Sequence, residues 1–538
     1  AYFIPEFSDG DIISIAFDCG EFIAVVDNNS FTFASELADI LSNEKIEKIT
    51  CDAKQLYSWA FMRDVRIKGK VSDIMIAGYI LNPSANDYSP VRMAQEYGAL
   101  CPEISEENET ALKAAALKGA WEKVIKQIEE NDQLPLLYDI EMPLSKVLSS
   151  MEVTGFLVDR ESIQQYGAVL EEKINSLVSE IYDLAGEEFN INSPKQLGTI
   201  LFEKLGLPAK KKTKSGYSTS ADVLEGLAPD YPIVSLILEY RTLAKLKSTY
   251  CDGLQKCIAP DGRIHSTLNQ TETKTGRISS TEPNLQNIPV RTPVGRELRK
   301  FFIAKEGCVL VDADYSQIEL RVLSDIANDE TMISAFNNGD DIHTITASQV
   351  FNMPVEAVTP LMRSRAKAVN FGIVYGIGAF SLAHDIGVTR AEADKYIKGY
   401  LHHFSGVDSY MKNVIAKAKE DGYVQTLFKR RRYLPELAAS NAMIRNFGER
   451  VARNMPIQGT AADIIKIAMV RVYDRLEKEN LKSKLIMQIH DELIVEAPEN
   501  EQAQVQKIIR EEMENACKMK VKLTADVHCG KSWYDAKG

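Results

Sequence analysis

The stretch from Cys308 to Asp325, CVLVDADYSQIELRVLSD, limits what this chain can be more than any other. An apolar run, Cys308 to Val311, reads as a buried strand and ends in two carboxylates, Asp312 and Asp314. From Gln317 the pattern turns helical, with Ile318, Val322 and Ile326 at i, i+4 and i+8. A carboxylate where a strand gives way to a helix is fixed by rigid backbone while its oxygens face a cleft. That suits a metal ligand, although a solvated turn uses the same residues. Asp312 lies on the same strand face as Asp314, because side chains alternate along a strand.

At 538 residues and 45% hydrophobic composition, the chain can build several domains with full cores. It begins with alanine, so a fragment or processed chain is expected. With no apolar run of spanning length and no signal-peptide pattern, a cytoplasmic protein is expected, with no membrane partner. Eight cysteines without a CxxC pair read as reduced thiols, not a zinc site. The net charge of −13 argues against nucleic acid only until its distribution is seen. Residues 1–137 hold 12 Lys and Arg against 23 Asp and Glu, whereas residues 205–300 hold 15 against 9. The acid sits in one region and the base in another, so DNA remains a possible partner.

Two further segments carry chemistry. In LMRSRAKAVNFGIVYG (361–376), Arg363, Lys367, Phe371 and Tyr375 recur every four residues. They drift slowly around one helix face, with Thr359 as cap and Pro360 at the first position. Two cations followed by two aromatics match a triphosphate followed by a base, although an amphipathic surface helix has the same spacing. In LIMQIHDELIVEAP (485–498), two apolar runs flank His490, Asp491 and Glu492 and predict a β-hairpin with carboxylates at its tip.

In the order found, DYSQIELR, RxxxKxxxFxxxY within NFGxxYG, and HDE between apolar strands resemble motifs A, B and C of the family A DNA polymerases. NINSPKQLG and KKTKSGYSTSADVL resemble the thumb of the bacterial large-fragment members. The resemblance covers roughly residues 138–538. It implies an α+β multidomain chain in which a small α/β, RNase H-like exonuclease domain (1–137) precedes a right hand. The hand comprises thumb and start of palm (138–300), palm with motif A (301–345), helical fingers with motif B (346–445) and palm with motif C (446–538). Its palm sheet is expected to be antiparallel.

The same resemblance implies template-directed addition of deoxynucleoside triphosphates to primer–template DNA by a monomer. Two Mg²⁺ ions, or Mn²⁺ in their place, would be held by Asp314, Asp491 and the Tyr315 carbonyl, with Glu492 in support. Arg363, Lys367, Phe371, Tyr375, His343, Gln317, Glu319 and Arg299 would surround the incoming nucleotide. Arg277, in TGRISSTEPNLQNIPVR, with Asn454, Gln458, His490 and Arg450, would line the DNA minor groove, where pairing geometry is read without sequence. Lys211, Lys212, Lys245, Lys247, Ser248 and Thr249 would hold phosphates. The four-cation run Lys429 to Arg432 is expected to be a solvated face, with a template contact as the alternative. His402 and His403 read as surface residues.

The front region departs from its pattern. The first exonuclease motif, Asp-x-Glu on the opening strand, is replaced by Ile4 and Glu6. CDAKQLYS (51–58) places Leu56 where the second motif's aspartate belongs, and LKAAALKGAWEK (112–123) lacks the third motif's tyrosine and aspartate. Asp18 and Glu21 are spaced by three and follow the second strand, so a structural relic without proofreading is expected. Two other readings of the whole chain are weighed. A single-subunit RNA polymerase shares the hand, but Glu319 resembles the gate that excludes a ribose 2′-hydroxyl. A dead DNA-binding scaffold would not need every motif position intact.

Overall fold

The computed structural model describes residues 1–100, 108–209, 212–213, 216–288 and 293–537. Near the start of the chain, strands Tyr2–Ser8, Asp11–Asp18 and Ile23–Asp27 pair antiparallel. Lys48–Thr50 and Val71–Asp73 add parallel to the first, giving a five-stranded mixed sheet. Neighbours Phe3 and Ile4 face opposite sides, and both are buried. Phe3 packs with Leu56 and Trp59, whereas Ile4 joins the main core with Leu117 and Ile140.

That core runs without interruption from the front domain into the palm, taking in Tyr79, Leu144, Val311 and Val495. The chain passes from residues 136–141 directly into the helix Met142–Thr154, so the two regions are packed together. The thumb has its own cluster. Its helix Arg160–Ala185 is capped by Asp159, which accepts from the Ser162 N–H, and closed by Gly186 at φ +71°. Ile163, Leu170, Leu177 and Ile181 are buried, whereas Leu184 is 49% exposed.

The palm sheet is antiparallel, in the order Lys484–Ile489, Glu492–Pro498, Cys308–Tyr315, Ala525–Gly530. The helix Ile318–Ile326 follows the motif A strand through Gln317, a non-glycine at φ +54°. Fingers helices Ile342–Phe351 and Pro360–Val374 pack against each other, and Thr359 caps the second by accepting from the Met362 N–H. Behind the palm runs the 37-residue helix Ala442–Lys478.

One expectation fails outright. The run Lys429 to Arg432 is not a solvated face: Arg430 is 1% exposed and Arg432 8%. Buried carboxylates Glu141 and Asp463 offset the cost of burying Arg430. The seven described cysteines are free. Among the described residues no helix is long and apolar enough to cross a membrane.

Candidate active site

The motif A strand and the motif C hairpin lie side by side, with Asp314 opposite Glu492. The Tyr315 N–H donates to the Asp491 carbonyl at 3.1 Å, tying the strand and the hairpin together. His490 and Asp491 form the turn between the hairpin strands, His490 at φ +53°. Burial, then Asp314 and Glu319, push the Asp491 carboxyl up to about 7. Burial, with Glu492 adding to it, also raises Asp314. Two carboxylates that hinder each other's ionisation are an arrangement short of positive charge.

Part of that charge comes from a residue outside the motifs. Lys537 reaches Asp314 at 3.1 Å and also contacts Glu492. Although burial works against its charge, Glu492, Asp312 and Asp314 raise it well above the usual lysine range. Glu492 is 4% exposed and accepts from the Trp533 indole at 2.6 Å. Asp312 is 2% exposed. Burial and the neighbouring Glu492 raise it, so it keeps its proton and shares it with Glu492, which is lowered in turn. Asp312 is thus buried in the sheet beside Glu492.

An all-oxygen set of Asp314, Asp491 and main-chain carbonyl suits a hard divalent ion such as Mg²⁺ or Mn²⁺. Among the described residues no three His, Cys, Asp or Glu side chains are arranged to hold a metal ion by themselves. An ion would therefore take its remaining ligands from main chain, water or substrate.

Around this pair the residues expected at the nucleotide divide into two groups. Glu319, 6% exposed, accepts from Arg277 at 2.6 Å and from the Tyr375 hydroxyl at 2.9 Å, linking motifs A and B to Arg277. Arg277, His490 and Asp491 line one cavity of about 40 Å³ together with Gln286 and Gln488. On the motif B helix, Arg363 and Lys367 are exposed, and the Lys367 ammonium stands 6.0 Å from the centre of the Phe371 ring. Arg363 donates to Asp341 at 2.6 Å, the residue that caps the helix beginning at Ile342.

His343 is 2% exposed, bonded to Asn370 at 3.0 Å and packed 6.0 Å from Phe371. Burial, with Lys367 and Arg363 adding to it, lowers it to about 4, so it is neutral and packed against Phe371. Arg299 is 5% exposed with its guanidinium 5.3 Å from the Trp533 ring, the indole that holds Glu492. Gln317 is part-buried at the strand-to-helix junction.

Asn454 and Gln458 lie part-buried on the long helix, outside the lining of the Arg277 cavity. Arg450 packs 5.9 Å from the Phe447 ring and lines a cleft of about 730 Å³ shared with Phe371, Tyr375 and Gly376. In the thumb Lys245, Ser248 and Thr249 are exposed, whereas Lys247 pairs with Asp252 at 3.1 Å and Glu171 at 3.8 Å. Lys211 and the side chain of Lys212 lie outside the described residues. Reading the sequence missed Lys537, Trp533, Gln286 and Gln488. Gln488 had a signal, two residues before His490 in a strand otherwise apolar; the tail residues had none.

The front domain has a cleft of about 750 Å³ lined by Ile4, Asp52, Gln55, Asp87 and Lys113. Ile4 and Leu56 are both buried apolar side chains. Glu6 accepts from Ser14 at 2.6 Å and Thr110 at 3.1 Å. Asp52 and Asp73 accept from backbone N–H groups around the start of helix Ala53–Met62. Asp18 ends its strand part-buried and accepts from the N–H of Gly20 in the exposed turn that follows.

Residues 160–535 match the model of DNA polymerase family A, and residues 5–108 that of the DNA polymerase I ribonuclease H-like domain. The chain is 47% identical over 516 residues to DNA polymerase I of Geobacillus stearothermophilus, and 47% over 517 to that of Bacillus subtilis (strain 168). Each alignment takes in 92% of this chain and 59% of the relative, so the chain spans about three fifths of those proteins. The structure is similar to the POL domain of Pol1 from M. smegmatis in complex with DNA primer-template and dNTP. The TM-score is 0.93 at 36% identity, covering 100% of this chain and 96% of that one. The chain belongs to DNA polymerase family A.

Proposed function

We propose that this chain copies a DNA template by adding deoxynucleotides to a primer 3′-hydroxyl and releasing pyrophosphate. The observation that carries it is the meeting of Asp314 and Asp491 from segments distant in sequence, where the Tyr315 N–H bonds the Asp491 carbonyl and the Asp314 charge acts on the Asp491 carboxyl. Two Mg²⁺ ions held there by Asp314, Asp491 and the Tyr315 carbonyl would lower the pKa of the primer hydroxyl and offset charge on the departing pyrophosphate.

Asp314 and Asp491 contribute fixed negative charge aimed at one point, and Glu492, held by Trp533 and Lys537, keeps the hairpin from shifting. Arg363 and Lys367 attract the triphosphate, and Arg363 exchanges its bond to Asp341 for one to phosphate. Phe371 packs on the sugar and base. Neutral His343 supports Phe371 from behind and adds a donor near the phosphates. Arg299 and Gln317 close the nucleotide pocket. Glu319 fills the space a 2′-hydroxyl would need. Arg277, His490, Asn454, Gln458 and Arg450 follow the minor groove and template, and Lys211, Lys212, Lys245, Lys247, Ser248 and Thr249 hold the duplex by its phosphates.

The front domain contributes no proofreading, because apolar Ile4 and Leu56 stand at two carboxylate positions of the exonuclease pattern. Primer extension with Mg²⁺, run separately with deoxy- and ribonucleotides, tests the whole reading. Extension with deoxynucleotides alone is expected. Preference for ribonucleotides would favour RNA synthesis, and no extension would leave a DNA-binding scaffold.

A further inference from the structure

Glu141, Arg430, Asp463 and Lys466 form a buried cluster of two cations and two anions, each at most 1% exposed. Arg430 donates to Asp463 at 2.6 Å and contacts Glu141, which Lys466 reaches at 2.7 Å. Glu141 also receives Gln270, whose amide donates to its main-chain carbonyl at 2.8 Å. A buried neutral cluster adds little net stability over apolar packing, but it fixes the relative positions of the segments that supply it. Here these are the residues following the front domain, the loop at Arg430 and the palm helix.

What rests on this cluster is the turn that ends in Arg277. Gly276, at φ +88°, lies so close to Arg430 that a Cβ would stand 2.5 Å from its Nε. From the other side the front domain's Tyr79, 0% exposed, donates its hydroxyl to the Thr273 carbonyl at 2.5 Å. Thr273 in turn donates its hydroxyl to the Arg277 carbonyl at 2.6 Å. Arg277 donates to Glu319 at 2.6 Å, and Glu319 receives the Tyr375 hydroxyl. A continuous set of bonds thus runs from the front domain to the motif B helix.

We propose that the front domain is a working part of the polymerase site, with Tyr79 as a positioning residue that sets Arg277 through Thr273. The proposal rests on the minor-groove reading of Arg277 given above. It explains how a domain with a degraded exonuclease site contributes to synthesis without contacting DNA or nucleotide.

The test is a double-mutant cycle on single-nucleotide insertion, using Tyr79→Phe, Thr273→Val and Arg277→Ala, with melting temperatures measured alongside. Removing one such hydrogen bond should lower kcat/KM about two- to tenfold, carried by kcat, with the nucleotide KM held within about twofold. In the Arg277→Ala background the same changes should cost less than about 1.5-fold, because the residue they position is gone. An unchanged kcat/KM in both Tyr79→Phe and Thr273→Val overturns the proposal. So does an equal loss with and without Arg277, which would mean an effect on general stability. Should Tyr79→Phe fold poorly, Thr273→Val decides alone by the same criteria. Arg277→Ala without effect overturns both the proposal and the reading of Arg277. A wild-type protein that extends no primer strikes instead at the proposed function.

Discussion

If the chain copies DNA as proposed, replacing Glu319 with alanine should open it to ribonucleotides, and the structure sets both the gain and the cost. The side chain is 6% exposed and wedged between Arg277 at 2.6 Å and the Tyr375 hydroxyl at 2.9 Å. Forcing an extra group into a packed site costs about 1–3 kcal/mol, so the wild-type gate is expected to disfavour a 2′-hydroxyl by about five- to 150-fold. Alanine vacates more space than a hydroxyl needs, and most of that factor should vanish. The cost falls on ordinary insertion, since Arg277 and Tyr375 lose a charged acceptor. Arg277 is 39% exposed along its side chain, so water replaces part of the loss and deoxynucleotide kcat/KM should fall only about tenfold. The assay is single-nucleotide insertion of matched ribo- and deoxynucleotides by wild type, Glu319→Ala and Glu319→Gln. Glutamine keeps the bulk and should keep the discrimination. If alanine leaves the ratio within twofold of wild type, or glutamine relaxes it as far as alanine, exclusion by bulk is wrong.

Three other outcomes follow from the same site. Phe371→Tyr adds a hydroxyl where a dideoxynucleotide lacks one, and should improve dideoxy against deoxy insertion about ten- to a hundredfold; equal ratios would mean Phe371 does not face the sugar. Asp491, pushed up to about 7, is ionised above that pH and protonated below it, and only the ionised form accepts a cation. The half-saturating Mg²⁺ concentration should therefore be about tenfold higher at pH 6 than at pH 8, and a flat Mg²⁺ requirement over that window would contradict the assignment. A labelled single strand incubated with Mg²⁺ and no nucleotide should keep its 3′ end; shortening that stops on Asp18→Ala or Glu21→Ala would show a working exonuclease site in the front domain.

Much of the site was legible because its residues sit in local patterns. The strand ending at Asp314, the cap at Thr359 with Pro360, and the hairpin around Asp491 each follow from neighbours within a few positions. Residues recruited from far along the chain left no such trace. Lys537 follows a short C-terminal helix, and nothing near it in sequence signals two carboxylate partners. The run Lys429 to Arg432 misled for the same reason. Four consecutive cations read as solvated, but the anions that bury Arg430 come from Glu141 and Asp463, far away in sequence. His343 was placed by its motif but not by its environment. Its burial against Asn370 and Phe371 depends on how two fingers helices pack, which no single segment encodes.

The proposed chemistry depends on Asp314 and Asp491 serving the reaction and not the grip on DNA. The decisive measurement compares single-nucleotide addition and primer–template affinity in wild type, Asp314→Asn and Asp491→Asn under the same Mg²⁺. Asparagine keeps the shape and removes the charge, so each variant should bind primer–template within about threefold of wild type. Each should lose addition by at least about a thousandfold, as expected for a group that stabilises charge in the transition state. Substantial extension by either variant, or loss of binding in step with loss of addition, would contradict the assignment of these two carboxylates.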